Sequence, residues 1–204
     1  MRQPAPGQLS LFGVSARAPS VADLDGLLAG NGHAVRRQDA ARISVVVEEP
    51  WRVEVLVAEL SARLGLAAEV ARTETGITVR TPWLAELRQV ADAWTRGAIK
   101  LPPPGWVLDG PRLRWWCLAA GRSPAPGNAT GAGVYTLALG PSDEQAWLGV
   151  GAALAGAGVP GVLIGPRADG PAYRIVGRRR LARLLELVGE PPTGIAAGGW
   201  PTLA

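Results

Sequence analysis

The chain carries one cysteine, one histidine, one phenylalanine and one methionine in 204 residues. A lone Cys117 forbids an internal disulfide and, with His33 as the only imidazole, leaves too few soft ligands for a structural zinc. No run of about 18 uncharged apolar residues is present to span a membrane. The start of the chain lacks the charged-then-apolar layout of a secretory signal. A soluble, cytoplasmic protein with no membrane partner is therefore expected. Ser10 and Ser142 have no histidine nearby to make a hydrolase, His33 reads as a surface or satisfied residue, and Cys117, beside Trp115 and Trp116, reads as a buried thiol.

With 48% hydrophobic residues the chain can bury a core in one large domain or two small ones. Its net charge of +4 is carried almost entirely by arginine. That permits a phosphate-binding surface without requiring one.

The apolar periodicity runs helix, two strands, helix, two strands, helix over residues 20–96, and repeats that order over 111–189. In the first unit Ser20 and Asp23 form a capping-box start before Leu24, Leu27 and Leu28. A hairpin follows at 33–37 and 43–47, turning at Gln38 and Asp39. A helix then opens at Pro50. Strands at 67–72 and 77–80 precede a last helix with Thr81 as its expected cap. The second unit has a helix at 113–119, a Gly/Pro/Ser-rich insertion, a strand at 134–139, a helix capped by Ser142, strands at 162–165 and 172–176, and a final helix ending before Gly189. Residues 97–110 read as a stiff, proline-rich linker and 190–204 as a Gly/Pro-rich tail. Trp106 and Trp200 have no evident core place, and are expected to pin those two segments to the surface. The fold class is α+β: two tandem αββαββα units with antiparallel sheets in a pseudo-twofold arrangement.

Residues 1–19 stand outside this pattern. Pro4, Pro6, Gly7, Gly13 and Pro19 disfavour helix around Gln8, Leu9, Ser10, Leu11 and Phe12. The only phenylalanine thus lies beside two leucines where it cannot join a core. This pentapeptide resembles the bacterial sliding-clamp-binding motif. The resemblance implies a clamp partner, with Leu11 and Phe12 in an apolar pocket and the Gln8 amide fixing register.

The duplicated plan resembles the single-chain LAGLIDADG homing endonucleases. Residues 24–32 match the naming motif at its first, third, fourth and ninth places through Leu24, Gly26, Leu27 and Gly32. Residues 113–121 keep Leu113 and Gly121, with Ala119 at the small seventh place and Trp115 where the motif has glycine, which puts close packing of the two motif helices in question. Trp94, Gly97, Lys100 and Pro102, and residues 172–175, also resemble stretches of that family. In such nucleases the eighth residue of each motif is an acidic metal ligand. Here Asn31 and Ala120 stand at those places. No cofactor, no metal and no catalytic residue are therefore expected. Asp23, Asp25 and Asp109 offer no clear relocated site, the first two reading as a cap and an exposed helix residue.

The resemblance further implies that a sheet follows the major groove of duplex DNA. Arg36, Arg37, Arg42, Arg72, Arg80 and Arg174 fall on or beside strands and are the expected DNA contacts. Arg178, Arg179, Arg180 and Arg183 open the last helix, where the dipole gives cations no benefit, and read as a solvated face. The function expected is a catalytically inactive DNA-binding protein held at the sliding clamp during replication or repair, a monomer associated with the nucleoid. A sequence-specific regulator, a protein adaptor and an active endonuclease are the alternatives.

Overall fold

The computed structural model describes residues 13–73, 76–97, 99–124, 133–141, 144–166 and 170–203. The clamp-like peptide at 8–12 and the Ser142 cap lie outside the described residues.

The first unit starts with a 3-10 turn, Val21–Leu24, that leads into α1, Asp25–Ala29. Ser20 and Asp23 form the reciprocal capping box, with the Ser20 N–H donating to Asp23 Oδ2 at 2.9 Å. Strands β1 (His33–Arg37) and β2 (Ala40–Val47) pair antiparallel around Gln38, whose φ is 50°. Helix α2, Pro50–Leu64, has proline in its first turn and ends at Gly65, which takes φ 65° while Leu66 N–H closes back on Leu60 O at 3.1 Å. Strands β3 (Glu69–Thr73) and β4 (Gly76–Arg80) complete a sheet ordered β1-β2-β4-β3, and α3 spans Glu86–Trp94.

Thr81 does not cap α3. Its hydroxyl accepts from the Ile43 N–H at 3.1 Å, and Leu84 bridges to Ala41 in both directions. Residues 81–84 thus continue alongside β2 after β4 ends. Pro82 favours this by holding Thr81 extended, and the helix is delayed to Glu86.

The stretch expected to be a stiff linker is packed against the domain. β5 (Thr95–Arg96) and β6 (Ile99–Lys100) make a small hairpin, Trp106 stands edge-on to Trp94 at 4.9 Å, and Leu108 is buried. Asp109 then caps α4, Gly110–Ala120, by accepting from the Arg112 N–H at 3.1 Å.

The second sheet is ordered β7-β8-β10-β9, from Gly121–Arg122, Val134–Ala138, Ala172–Val176 and Val162–Ile164, with α5 (Glu144–Gly156) and α6 (Arg178–Val188) beside it. One hydrophobic core runs through both units, joining Leu24, Leu28, Ile43 and Leu56 to Leu113, Trp116, Tyr135, Ile175 and Leu184. The C-terminal segment joins it through Trp200, which donates to Gly189 O at 3.1 Å under the Arg114 guanidinium. No helix among the described residues is long and apolar enough to cross a membrane.

The two motif helices meet closely in spite of Trp115. A Cβ on Gly26 would stand 2.0 Å from the Arg112 carbonyl oxygen, so only glycine admits that approach. Trp115 itself is fully enclosed.

Candidate nucleic-acid interface

Asn31 and Ala120, which the motif resemblance sets at the places expected to carry metal-binding acids, lie at the ends of the two motif helices. In the first unit the Asn31 amide nitrogen donates to Val46 O at 2.6 Å, and its Oδ1 is buried with no partner. The carbonyls on either side, of Gly30 and Gly32, both accept from Lys100 Nζ, at 2.5 and 3.0 Å. Burial pushes that ammonium down to about 8. The second unit repeats the device with another residue. Arg52 donates to Leu118 O at 2.8 Å and Gly121 O at 2.7 Å, bracketing Ala120, while its Nε bonds Glu49 and its guanidinium lies 4.4 Å from the Trp51 ring centre.

A divalent ion does not fit here. One amide oxygen and a methyl group stand in place of two carboxylates, and two cations already hold the neighbouring carbonyls. Among the described residues no group of three or more His, Cys, Asp and Glu could hold a metal.

Three aspartates do converge at the other end of the motif helices, yet arginines hold each of them. Arg17 bonds Asp23 and Asp109, and Arg112 bonds Asp109 at 3.1 Å and Asp25 at 2.8 Å. Asp25, expected to be exposed, is buried, and also accepts from Trp106 Nε1 at 2.9 Å. Desolvation lifts its carboxyl to about 6 against the pull of Arg112 and Trp106. Cys117 is inert: burial raises its thiol to about 12. A cleft of about 650 Å³ between 102–108, α5 and α6 is lined by prolines, Trp106, Leu108, small residues of α5, and Arg183 and Leu187, with no carboxylate or imidazole among its described lining residues.

The sheets present a different surface. Ala41, Ile43, Val45 and Val47 of β2 are buried against the helices, so by alternation Arg42, Ser44 and Val46 face outward. Register extends this parity across the sheet, placing His33, Val35, Arg37, Arg80, Thr78 and Glu69 on the same outer face. There Arg42 lies 4.7 Å and Arg37 6.0 Å from the Trp83 ring centre, and Arg42 pairs with Glu69 at 3.6 Å. On the second sheet Tyr135, Leu137, Tyr173 and Ile175 are buried, which turns Arg122, Thr136, Arg174 and Val162 outward as one cross-strand row.

Four of the six arginines picked from the sequence, Arg37, Arg42, Arg80 and Arg174, thus share the outer faces. Arg36 and Arg72 do not. They pair with Ala41 and Ile77, on the helix side of the sheet, and Arg36 is bonded to Asp92 of α3 at 3.0 Å. Arg122 was missed because β7 is two residues long, with no alternation to reveal it. The parity of Arg36 could have been read: the buried 41, 43, 45, 47 series continues through the turn at 38–39 to 34 and 36. Glu69 is the only carboxylate on an outward strand position among the described residues.

No protein-family model matches the sequence, and a comparison with curated proteins finds no match. Solved structures do match. The homing endonuclease I-WcaI bound to its DNA recognition sequence is similar with a TM-score of 0.59 at 12% identity, over 89% of this chain and 82% of that one. Full-length DUF199/WhiA from Thermatoga maritima gives 0.55 at 14% identity, over 85% of this chain and 56% of its own. The N-terminal LAGLIDADG domain of DUF199/WhiA gives 0.51 at 12% identity, over 88% and 87%. Together with the repeated order of elements and the two four-stranded antiparallel sheets, these likenesses establish that the chain has a LAGLIDADG-like fold.

Proposed function

We propose that this chain is a catalytically silent LAGLIDADG-like protein that binds duplex DNA through the outer faces of its two sheets and is tethered to a bacterial sliding clamp by residues 8–12. The observation that carries the DNA reading is the charge of those faces: Arg37, Arg42, Arg80, Arg122 and Arg174 against Glu69 alone among the described strand positions. Guanidinium groups on a pleated surface suit phosphate oxygens and guanine edges. Loss of catalysis is supported by Asn31 and Ala120 at the acidic places of the motif, and by the cations Lys100 and Arg52 bonded to the carbonyls beside them.

The clamp reading rests on sequence alone. A tether would raise the concentration of the domain at DNA without any new contact in the domain. An internal duplication supplies both halves of a two-fold surface, so we take the working state to be a monomer, cytoplasmic and nucleoid-associated, acting in replication or repair.

Binding of a duplex to the full chain should weaken steeply with salt, with a log–log slope between about −3 and −5 if most of the five arginines meet phosphates. A flat salt response removes the DNA reading. Magnesium or manganese should produce no nicking, and metal-dependent nicking by the purified chain would overturn the pseudoenzyme reading. Calorimetry of the full chain with purified clamp should show binding that the Leu11→Ala, Phe12→Ala double variant abolishes; equal heats from both would sink the tether.

A further inference from the structure

The two outer faces differ in chemistry. On the second sheet, outward Val134, Val162, Ile164 and Val176 surround Arg174 and Arg122, and no carboxylate points the same way among the described strand residues. Val162 is 63% exposed and Val176 42%. Val162 lies across from Arg174, and Val176 follows Arg174 by two residues on the same face, about 7 Å along the strand. That spacing is about two base-pair steps of 3.4 Å. Exposed branched side chains beside guanidinium groups make an apolar floor with a cationic rim.

We infer that this face reads thymine: Val162 and Val176 contact thymine 5-methyl groups in the major groove while Arg122 and Arg174 hold the flanking phosphates. The inference rests on the DNA reading above and assigns a base preference to the second unit. The 5-methyl group is the one apolar feature the major groove offers, and apolar side chains are its recognised partners. An acidic duplex also suits the rim, whose charged side chains among the described strand residues are arginines. The first unit differs. Its face sets Val35 and Val46 among Arg37, Arg42, Arg80, Ser44, His33 and the carboxylate of Glu69. Hydrogen-bonding groups, and a negative charge not found on the described strand residues of the second face, thus lie beside its apolar side chains, and the two half-sites should not match.

The test compares two duplexes of identical sequence, one with thymine and one with deoxyuridine throughout an alternating A·T tract, so that only the methyl groups differ. The full chain should bind the thymine duplex more tightly by about fourfold for each methyl contacted, or roughly four- to fifteenfold for one or two contacts. Val162→Ser with Val176→Ser should abolish the difference; both side chains are exposed, and circular dichroism confirms the fold. Arg80→Gln should weaken both duplexes alike. Equal affinity for the two duplexes, with the salt dependence retained, overturns the thymine reading and leaves the DNA reading standing. A thymine preference that survives both valine changes also overturns it. If neither duplex binds at any salt, both readings fall together.

Discussion

The two units share an order of elements and a sheet topology but differ in how the motif helix is built. In the first, five residues with Gly26 at the contact let the backbone of the second helix approach; in the second, eleven residues carry Trp115, Trp116 and Cys117 into the core. Close approach needs a missing side chain on one partner only, which is why Trp115 is tolerated. At the helix ends the units converge again by different means, Lys100 against Gly30 and Gly32, and Arg52 against Leu118 and Gly121. A cation at each carbonyl end opposes the negative pole of the helix, a task that requires charge and donors, with either residue type able to supply them.

The largest effect expected is at the second end. Arg52 is buried, and its guanidinium serves two carbonyls, Glu49 and the Trp51 face. Arg52→Met should cost about 3–5 kcal/mol in denaturant unfolding, since two buried carbonyls lose their donors. A loss below about 1 kcal/mol would show that the two ends are not held by their cations. Gly26→Ala should come next. Alanine in a helix normally gains about 1 kcal/mol over glycine, but here the added methyl would meet the Arg112 carbonyl, and a net loss of about 3 kcal/mol is expected. Gly156→Ala, at the open end of α5, provides the unobstructed comparison, where a gain of up to about 1 kcal/mol should appear instead.

The third effect is a pH dependence specific to the first unit. The Asp25 carboxyl titrates at about 6 when folded, above its usual value of 3.8. Between those values the folded chain holds a proton that the unfolded chain has lost, so the contribution of Asp25 to stability falls as pH rises from about 4 to 6, by about 2–3 kcal/mol. Asp25→Asn should flatten that part of the profile in a pH series of thermal melts. A slope unchanged by the substitution would assign the dependence to other groups.

Much of this arrangement was legible in the sequence where the signal is local. The alternation in 41–47, the helical spacing in 53–64 and the Ser20–Asp23 box each predict their element because neighbours in sequence make the decisive contacts. Thr81-Pro82 misled because the same dipeptide serves a helix start and an extended strand continuation; pairing with β2, about forty residues earlier, decides between them. Asp25 was misplaced on the surface because its partners come from far along the chain, Trp106 from within the linker and Arg112 from the helix after it. The cationic caps were illegible for the same reason, as Arg52 sits 66 residues from its Leu118 acceptor and Lys100 70 from Gly30. The expected outer-face arginines failed at Arg36 and Arg72 by parity alone.

The smallest effect expected isolates the two caps from each other. Burial already disfavours the charged form of Lys100, which offsets part of what its two hydrogen bonds contribute, whereas Arg52 stays charged beside Glu49. Lys100→Met should therefore cost about 1 kcal/mol, well below Arg52→Met. The folded ammonium titrates at about 8, below the usual 10.5. Across that interval the unfolded chain binds the extra proton, so stability should rise with pH from about 8 to 10.5 in the parent chain and lose that rise in Lys100→Met. Arg52→Met should keep the rise, because arginine stays charged throughout. If the two variants cost the same and both abolish the alkaline rise, the helix ends act as one coupled site, and the separate cap of each unit is the wrong description.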